Sequence, residues 1–517
     1  MLEEDYRNFR KSEFFDLEGK IKFILPTIMV AGLLIRFYYV PFNIPIILDG
    51  FMGYFLYALD ISLLGYLPDY TLSQSGWGEF LSIFFMFFHS DQLIDYMNFQ
   101  RTLSVIVSGI TVFPIYLICR KFISRSYSLI GVIIFAFEPR IIINSTLGIS
   151  DPLYIFAISL GILFFLNSNK KIIFLSFAFL AWATIIRPEG QFFFYAFSII
   201  YFLRFRKNRR DIFRYVICLG IFLLVLSPIV IHRIECCEYD GIISRILAEL
   251  WLYENNPTDL DENQNMKIYG PNFENGVKLL GWALFPIFIF LIPLGILKIV
   301  KERDFLKGFL IGVTIIVFFP IFYSISVAPD TRYVYPLFPI FCVISLFGIR
   351  WVSEKFNKKK LVLSFIVGCI IFSSIIFLEV KKIDHTEDIE AYQISKIIID
   401  DIKGVNKGST VSKFLTVAEI ENRWPIDSYT GETRKSFEIN RFSVNDVETL
   451  DDFIMNYREQ GLTHLIIDSN SNSKFLLDIF EREESPYLEK IFDSHDIGYD
   501  YHVKVFEIDY SKIVPRK

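Results

Sequence analysis

IPIILDGFMGYFLYALDISLLGYLPDY, residues 44–70, follows the first strongly apolar run of the chain and carries Asp49 near its start. A carboxylate placed where a chain has just crossed a bilayer is costly to desolvate, so it needs either water or a function. Two readings are open. Asp49 is a solvated residue capping the helix that follows, or it is the base of a site at the membrane surface. Both presuppose that the run before it crosses a membrane, and the rest of the chain decides that.

The 517 residues are 53% hydrophobic and 17% aromatic, with a mean hydropathy of +0.42. This exceeds what a soluble globular domain shows, and the sequence reads as a membrane protein. The net charge of −5 matters less than its distribution, because basic residues gather in alternate loops. Nothing in it implies nucleic-acid binding. Cys119, Cys218, Cys342 and Cys369 lie inside apolar runs and are expected to pack there, while Cys236 and Cys237 adjoin at the end of one. That pattern is neither a disulfide framework nor a zinc site.

Apolar runs near the spanning length of roughly 17 to 25 residues fall near 21–40, 102–119, 127–143, 152–167, 171–186, 191–203, 213–232, 278–297, 306–327, 334–349 and 361–379. They predict about eleven transmembrane helices. MLEEDYRNFRKSEFFDLEGK, residues 1–20, is charged and lacks a small-residue cleavage site, so it reads as a cytoplasmic tail before an uncleaved first span. With that end inside, the inside loops hold Arg120, Lys121 and Arg125; Lys170 and Lys171; and Arg204, Arg206, Lys207, Arg209, Arg210 and Arg214. Lys298, Lys301, Arg303 and Lys307 follow, then Arg350, Lys355, Lys358, Lys359 and Lys360. The outside loops are poor in Lys and Arg, as the positive-inside asymmetry requires. An odd number of spans leaves the C-terminal region outside.

The first outside loop, 41–101, contains aromatic and leucine-rich stretches at 51–67 and 78–88 that suit helices lying in the interface. A second, about 233–277, is acidic and Asn-rich (YENNPTDLDENQN) and reads as a solvated connector or an acceptor-facing cover. The transmembrane part is therefore assigned to 1–380 and a soluble domain to 381–517. In the latter EDIEAYQISKIIIDDI has helical spacing, and GSTVSKFLTV, THLIIDS and YHVKVFEIDY are β-rich runs separated by stretches such as SKFLLDIFERE. A small α/β or α+β domain is expected. It has no phosphate loop, metal-ligand cluster or nucleophile elbow, which points to recognition or packing.

On this topology the unusual polar residues fall on the outside face. Asp49 follows the first span, Arg101 opens the second, and Glu138 and Arg140 sit near the end of the third. Asp151 in GISDPLYIF begins the fourth; Arg187 and Glu189 in IIRPEGQFFF join the fifth and sixth; Asp330 and Arg332 in APDTRYVYPLFP precede the tenth. Carboxylates and arginines at one membrane surface can activate a hydroxyl and hold a phosphate. Arg101 and Arg140 also suit a blander role, as anchors reaching towards headgroups.

Taken together, Asp49 with the Tyr54 and Ala58 pattern, Arg101 before TLSVIVSGITVFPIYLICRKF, NSTLGISDPLY, ATIIRPEG and TRYVYPLFP resemble the GT-C superfamily of polyprenyl-phosphate-sugar-dependent glycosyltransferases. The likeness is to family 39, with its protein O-mannosyltransferases and lipid A aminoarabinose transferases, and covers residues 21 to about 350. It implies a GT-C fold with an extracytoplasmic site, an acidic base at Asp49 and a second acidic position at Asp151. It also implies donor-phosphate contacts at Arg101, Arg187 and Arg332, with Tyr54, Glu79 and Glu189 as acceptor-side or supporting residues. Protein O-mannosyltransferases have Asp-Glu at the first position, whereas Gly50 follows Asp49 here, which weakens transfer of their acceptor specificity. There is no Trp-Trp pair to match the Trp-Trp-Asp signature of oligosaccharyltransferases. The tail is not the β-trefoil of eukaryotic O-mannosyltransferases and looks like the tails of prokaryotic, especially archaeal, relatives.

The expected reaction is an inverting transfer of a sugar, mannose or another hexose, from a dolichyl or other polyprenyl phosphate to a hydroxyl of a protein, lipid or glycan. No cofactor is expected beyond the lipid-linked donor and a possible divalent cation, for which the sequence supplies too few ligands to decide. The alternative is a multi-pass transporter or flippase of a lipid-linked saccharide. That would place polar residues at mid-span and broken helices in related halves of the chain, whereas the charges cluster at one face.

Overall fold

The computed structural model describes residues 20–46, 50–70, 72, 74–167, 169, 171–205, 209–237, 240, 273–301, 305–327, 330–401, 418, 449–459, 461–469, 473–482 and 485–513. Asp49, the acidic run 253–265, the run 408–417 and the loop residues Lys170, Arg206, Lys207 and Arg303 lie outside them.

Helices dominate because a backbone in hydrocarbon must satisfy its own hydrogen bonds. They are α1 (Ile21–Tyr38), α2 (Leu56–Leu64), α3 (Gly76–Phe85), α4 (Leu93–Ile110), α5 (Val112–Phe122), α6 (Arg125–Ala136), α7 (Pro139–Thr146) and α8 (Asp151–Phe165). There follow α9 (Ile173–Ile186), α10 (Gly190–Phe205), α11 (Arg209–Cys237), α12 (Phe273–Leu284), α13 (Phe288–Lys301), α14 (Phe305–Val327), α15 (Phe338–Glu354) and α16 (Lys359–Val380). Among the described residues six helical stretches are long and apolar enough to cross a membrane, or eight if two bent pairs each count as one. Shorter apolar helices include α8, α9 and α10. Every one of the expected apolar runs thus carries a helix or a bent pair.

Two runs are not the straight spans expected. The third is α6 and α7, bent by 48° where Glu138 and Pro139 interrupt it, and the eighth is α12 and α13, bent by 95°. The second break, at 285–287, contains Pro286, which cannot donate a helical hydrogen bond. The seventh runs further than read, because α11 continues to Cys237 and takes in the first residues assigned to a loop.

The loop after α1 is also more integrated than an interfacial reading suggests. A π-helix, Gly50–Phe55, leads into α2, and Phe55, Tyr57, Trp77 and Leu81 are buried while Tyr66, Met86 and Phe87 stay exposed. Gly76 lets this layer press on the bundle: a Cβ there would stand 2.8 Å from the backbone nitrogen of Ile186, at the end of α9. From the other side Arg233 of α11 donates to the carbonyl of Leu72 and to Ser75 Oγ, both at 3.0 Å.

Inside the bundle aromatic rings interlock, as where Phe165 of α8 meets Phe197 of α10 and Phe309 of α14. Buried Cys119, Cys218 and Cys342 pack as expected, but Cys369 is exposed on α16. Arg36 is fully buried in the last turn of α1. It donates to Ser108 Oγ of α4 at 3.0 Å and to the carbonyls of Gly32 and Ala136 at 2.9 and 2.8 Å.

Beyond α16 come α17 (Thr386–Asp401), α18 (Leu450–Arg458), β1 (His464–Asp468), α19 (Lys474–Arg482), β2 (Leu488–Asp493) and β3 (Val503–Ile508). The strands form an antiparallel sheet in the order β1-β3-β2. THLIIDS and YHVKVFEIDY supply β1 and β3 as read. LEKIFD, which becomes β2, was hidden because a bulge between Lys490 and Phe492 breaks its alternation. α19 and α18 bury Leu476, Ile479, Phe453 and Ile454 against the sheet.

Candidate active site

Three breaks between helices converge on one cluster. The first is the start of α8, where Asp151 sits in the first turn beside Pro152, a carboxylate at the positive end of a helix. The second is the end of α9. Arg187 precedes Pro188, which disfavours helical backbone at the residue before it, and Arg187 is extended at φ −146° and ψ 128°. The third is the short 3-10 helix Thr331–Leu337 ahead of α15, capped by Asp330, whose carboxylate accepts from the Arg332 N–H.

Asp151 is the centre. It is 1% exposed, and its Oδ1 accepts from Arg187 Nη1 at 2.5 Å. Its Oδ2 lies 3.5 Å from Asn144 Nδ2 and 4.0 Å from Arg332 Nη1. Arg187, 7% exposed, also donates to Glu189, from Nη2 at 3.2 Å and from Nε at 3.4 Å. Burial works against the charge of Arg187, but Asp151 and Glu189 outweigh it and hold its pKa well above the usual arginine value. Its guanidinium lies 5.9 Å from the ring centre of Tyr154 and 5.6 Å from that of Tyr333, within the range of a cation over an aromatic face. Arg332 is 30% exposed and donates to Asp330 Oδ2 at 2.6 Å. The cluster therefore opens outward, from a closed Asp151 through Arg187 to Arg332.

The first loop reaches the same place. Tyr54 donates to Gln74 Oε1 at 2.6 Å and lies 3.3 Å from Ser150 Oγ, next to Asp151. Gly148 ties the pieces: its φ of +74° is left-handed, which favours glycine. Its carbonyl accepts from Trp77 Nε1 of α3 at 2.9 Å and from Gln100 Nε2 of α4 at 2.6 Å.

The sequence-derived site residues divide. Asp151, Arg187, Glu189, Arg332 and Tyr54 come together. Arg101 does not join them: it is buried and donates through Nη1 to the carbonyl of Ile44 at 2.5 Å. It thus holds the strand of chain that leads to Asp49. Glu79 faces Arg233 and His232 on the far side of α3. Tyr154 was missed, although it lies on α8 three residues after Asp151 and so on the same helix face. Its hydroxyl is buried without a hydrogen-bond partner among the described residues.

A divalent cation at this cluster would have to be held through Asp151 Oδ2 or Glu189, because Asp151 Oδ1 is already taken by Arg187. A guanidinium nitrogen stands 2.5 Å from Asp151 Oδ1, where a dication would meet like charge.

No protein-family model matches this sequence, and no curated protein matches it either. Solved structures do match. ArnT from Cupriavidus metallidurans, bound to undecaprenyl phosphate, aligns over 97% of this chain and 100% of its own with a TM-score of 0.59 at 10% identity. The Archaeoglobus fulgidus oligosaccharyltransferase in the apo form aligns over 90% of this chain and 73% of its own, with a TM-score of 0.57 at 10% identity. The same organism's AglB, in complex with an inhibitory peptide and a dolichol-phosphate, aligns over 96% and 75% with a TM-score of 0.55 and 10% identity. The chain has the GT-C fold: it is a multi-pass α-helical membrane protein with a small C-terminal sheet.

Proposed function

We propose that this chain is a glycosyltransferase that moves a sugar from a polyprenyl phosphate to an acceptor hydroxyl, at the end of the bundle where Asp151, Arg187 and Arg332 meet. The observation that carries the proposal is the convergence of those residues from three separate helix breaks on a partly open cluster, beside a loop that enters at Ile46 and returns at Tyr54. The solved structures of the same fold support it, two of them being complexes with undecaprenyl phosphate and a dolichol-phosphate.

In this mechanism Asp49, three residues after Ile46 in the chain, takes the proton from the acceptor hydroxyl. The acceptor oxygen attacks the anomeric carbon through an oxocarbenium-like transition state. As that bond forms, the bond from the carbon to the phosphate oxygen breaks and its electron pair stays on the leaving polyprenyl phosphate. The leaving group gains charge, so it needs cations more than a proton. Arg332, at the open side, meets the phosphate first, and Arg187 supports it from the buried side. The carboxylates of Asp151, Glu189 and Asp330 hold both guanidinium planes in place before the donor arrives. One displacement inverts the anomeric centre.

The basic loops lie one helix away from the site segments, as α8 separates Asp151 from Lys171 and α15 separates Arg332 from Lys355. By the positive-inside asymmetry this supports an extracytoplasmic site with a cytoplasmic N-terminus, and residues 381–517 on the site's side. The test is to give the purified protein polyprenyl phosphates carrying different radiolabelled sugars, together with protein, lipid and glycan acceptor fractions. Label should leave one lipid and enter one fraction. If no sugar leaves any donor while the protein is folded and monodisperse, the reading fails.

A further inference from the structure

We infer that Asp493, His495 and His502 form a binding site for a divalent transition-metal ion of the zinc class, at the turn between β2 and β3. Nothing in the transfer reaction uses these residues, and no metal-ligand cluster is legible in the sequence of this domain; the turn between the strands brings them together. They come from three adjacent pieces of backbone: the last residue of β2, the 3-10 turn Ser494–Ile497, and the residue before β3. One donor atom from each lies within 4.8 Å of the other two.

The turn that presents them is built firmly. Buried Ser494 donates to the carbonyl of Tyr501 at 2.7 Å and accepts from the Val503 N–H at 2.8 Å. Gly498, at a φ of +92°, reverses the chain. The carboxylate of Asp493 is aimed by the His495 N–H, 3.1 Å from Oδ1. His502 Nε2 stands 2.9 Å from that same oxygen, and the His495 and His502 rings face one another with centroids 3.5 Å apart and planes at 16°.

Two imidazoles and one carboxylate are the donor set of open zinc sites, with water completing the tetrahedron. Ligands about 2.0 to 2.1 Å from zinc stand roughly 3.4 Å apart at tetrahedral angles. The His502–Asp493 pair therefore needs to open by about half an ångström, and exposed His495 must rotate out of its stack on His502, leaving the Asp500 carbonyl that lies 3.3 Å from its Nε2. Of the nearby cations, Lys490 Nζ contacts the other carboxylate oxygen, Oδ2, at 3.4 Å, leaving Oδ1 towards the two rings, and Lys504 Nζ is held by the carbonyl of Phe480 at 2.8 Å. Imidazole donors select zinc, copper or nickel over magnesium and calcium.

The test uses the full-length protein in detergent, stripped with chelator and titrated with zinc chloride and separately with cobalt(II) chloride. The wild type should take up one equivalent that gives the visible spectrum of tetrahedral cobalt, and zinc should slow amide exchange across residues 493–503. His495→Gln, His502→Gln and Asp493→Asn should each lose that equivalent. His385→Gln, which alters another His–carboxylate pair, His385 with Asp388, should keep it. Far-ultraviolet dichroism identifies any variant that fails to fold, and the exchange measurement on wild type stands without the variants. Absence of zinc-dependent protection in the wild type overturns the proposal, as does unchanged stoichiometry in the folded histidine variants.

Discussion

Replacing Arg187 by Met removes the guanidinium and keeps a side chain of comparable length. Asp151 is then a carboxylate at 1% exposure whose remaining neighbours are Asn144 Nδ2 at 3.5 Å and Arg332 Nη1 at 4.0 Å. Removing one partner of a buried ion pair costs about 3 to 5 kcal/mol, because the other charge is left uncompensated. Arg332 still faces Asp151, so the lower end, about 3 kcal/mol, applies, roughly a hundredfold in the folding equilibrium. Adding Asp151→Asn neutralises the stranded charge at nearly constant volume. The double variant should therefore recover about 2 kcal/mol relative to the sum of the single losses, within the range found for residues in contact. Equilibrium unfolding in mixed micelles, read by tryptophan fluorescence, gives the four stabilities of the cycle. If the double variant loses as much as the two single variants added together, Asp151 and Arg187 are not coupled and the cluster is not held as described.

Asp49→Asn should lower transfer by about 10² to 10⁴, the usual worth of a general base, with donor binding retained because the proposed phosphate contacts lie elsewhere; near-normal transfer would make Asp49 a solvated cap. Arg332→Lys keeps the charge but loses the planar fork, so the donor KM should rise several-fold with a smaller change in kcat, and an unchanged KM would reduce Arg332 to a partner of Asp330. Cysteines at Asn208 and Asn265, in loops assigned to opposite sides, should differ in labelling by an impermeant reagent on intact cells; equal labelling refutes the orientation. Gly148→Ala should destabilise by about 1 to 2 kcal/mol, the strain of a side chain in left-handed backbone, measured in the same micellar unfolding assay; no loss would mean that the turn relaxes freely.

Helix positions were legible because each apolar run must satisfy its own backbone in hydrocarbon, and a run of that length leaves few alternatives. The bends were less so. Pro286 breaks its run, yet Pro228 and Pro320 sit inside continuous α11 and α14, so proline alone does not say which helix turns. At the site, Pro188 and Asp151 announced a helix end and a helix start, and local rules suffice for both. The pairing of Arg187 with Asp151 spans 36 residues and that of Tyr54 with Ser150 spans 96, and only packing decides such distances. Arg101 is likewise an arginine at the edge of an apolar run, but its guanidinium goes to the carbonyl of Ile44, 57 residues away, which no local pattern predicts.

Arg36 bears on the order in which the chain is made. Its three acceptors are all neutral, and two of them, Ser108 and the carbonyl of Ala136, lie 72 and 100 residues further on. At a synthesis rate of about 5 to 20 residues per second, α1 is complete for roughly 5 to 20 s before the Ala136 carbonyl exists. A lone guanidinium is costly inside hydrocarbon but tolerable near a helix end, from which it can reach the headgroups. The nascent first span should therefore rest displaced towards that face, and slide inward only when α4 and α6 arrive to receive its charge.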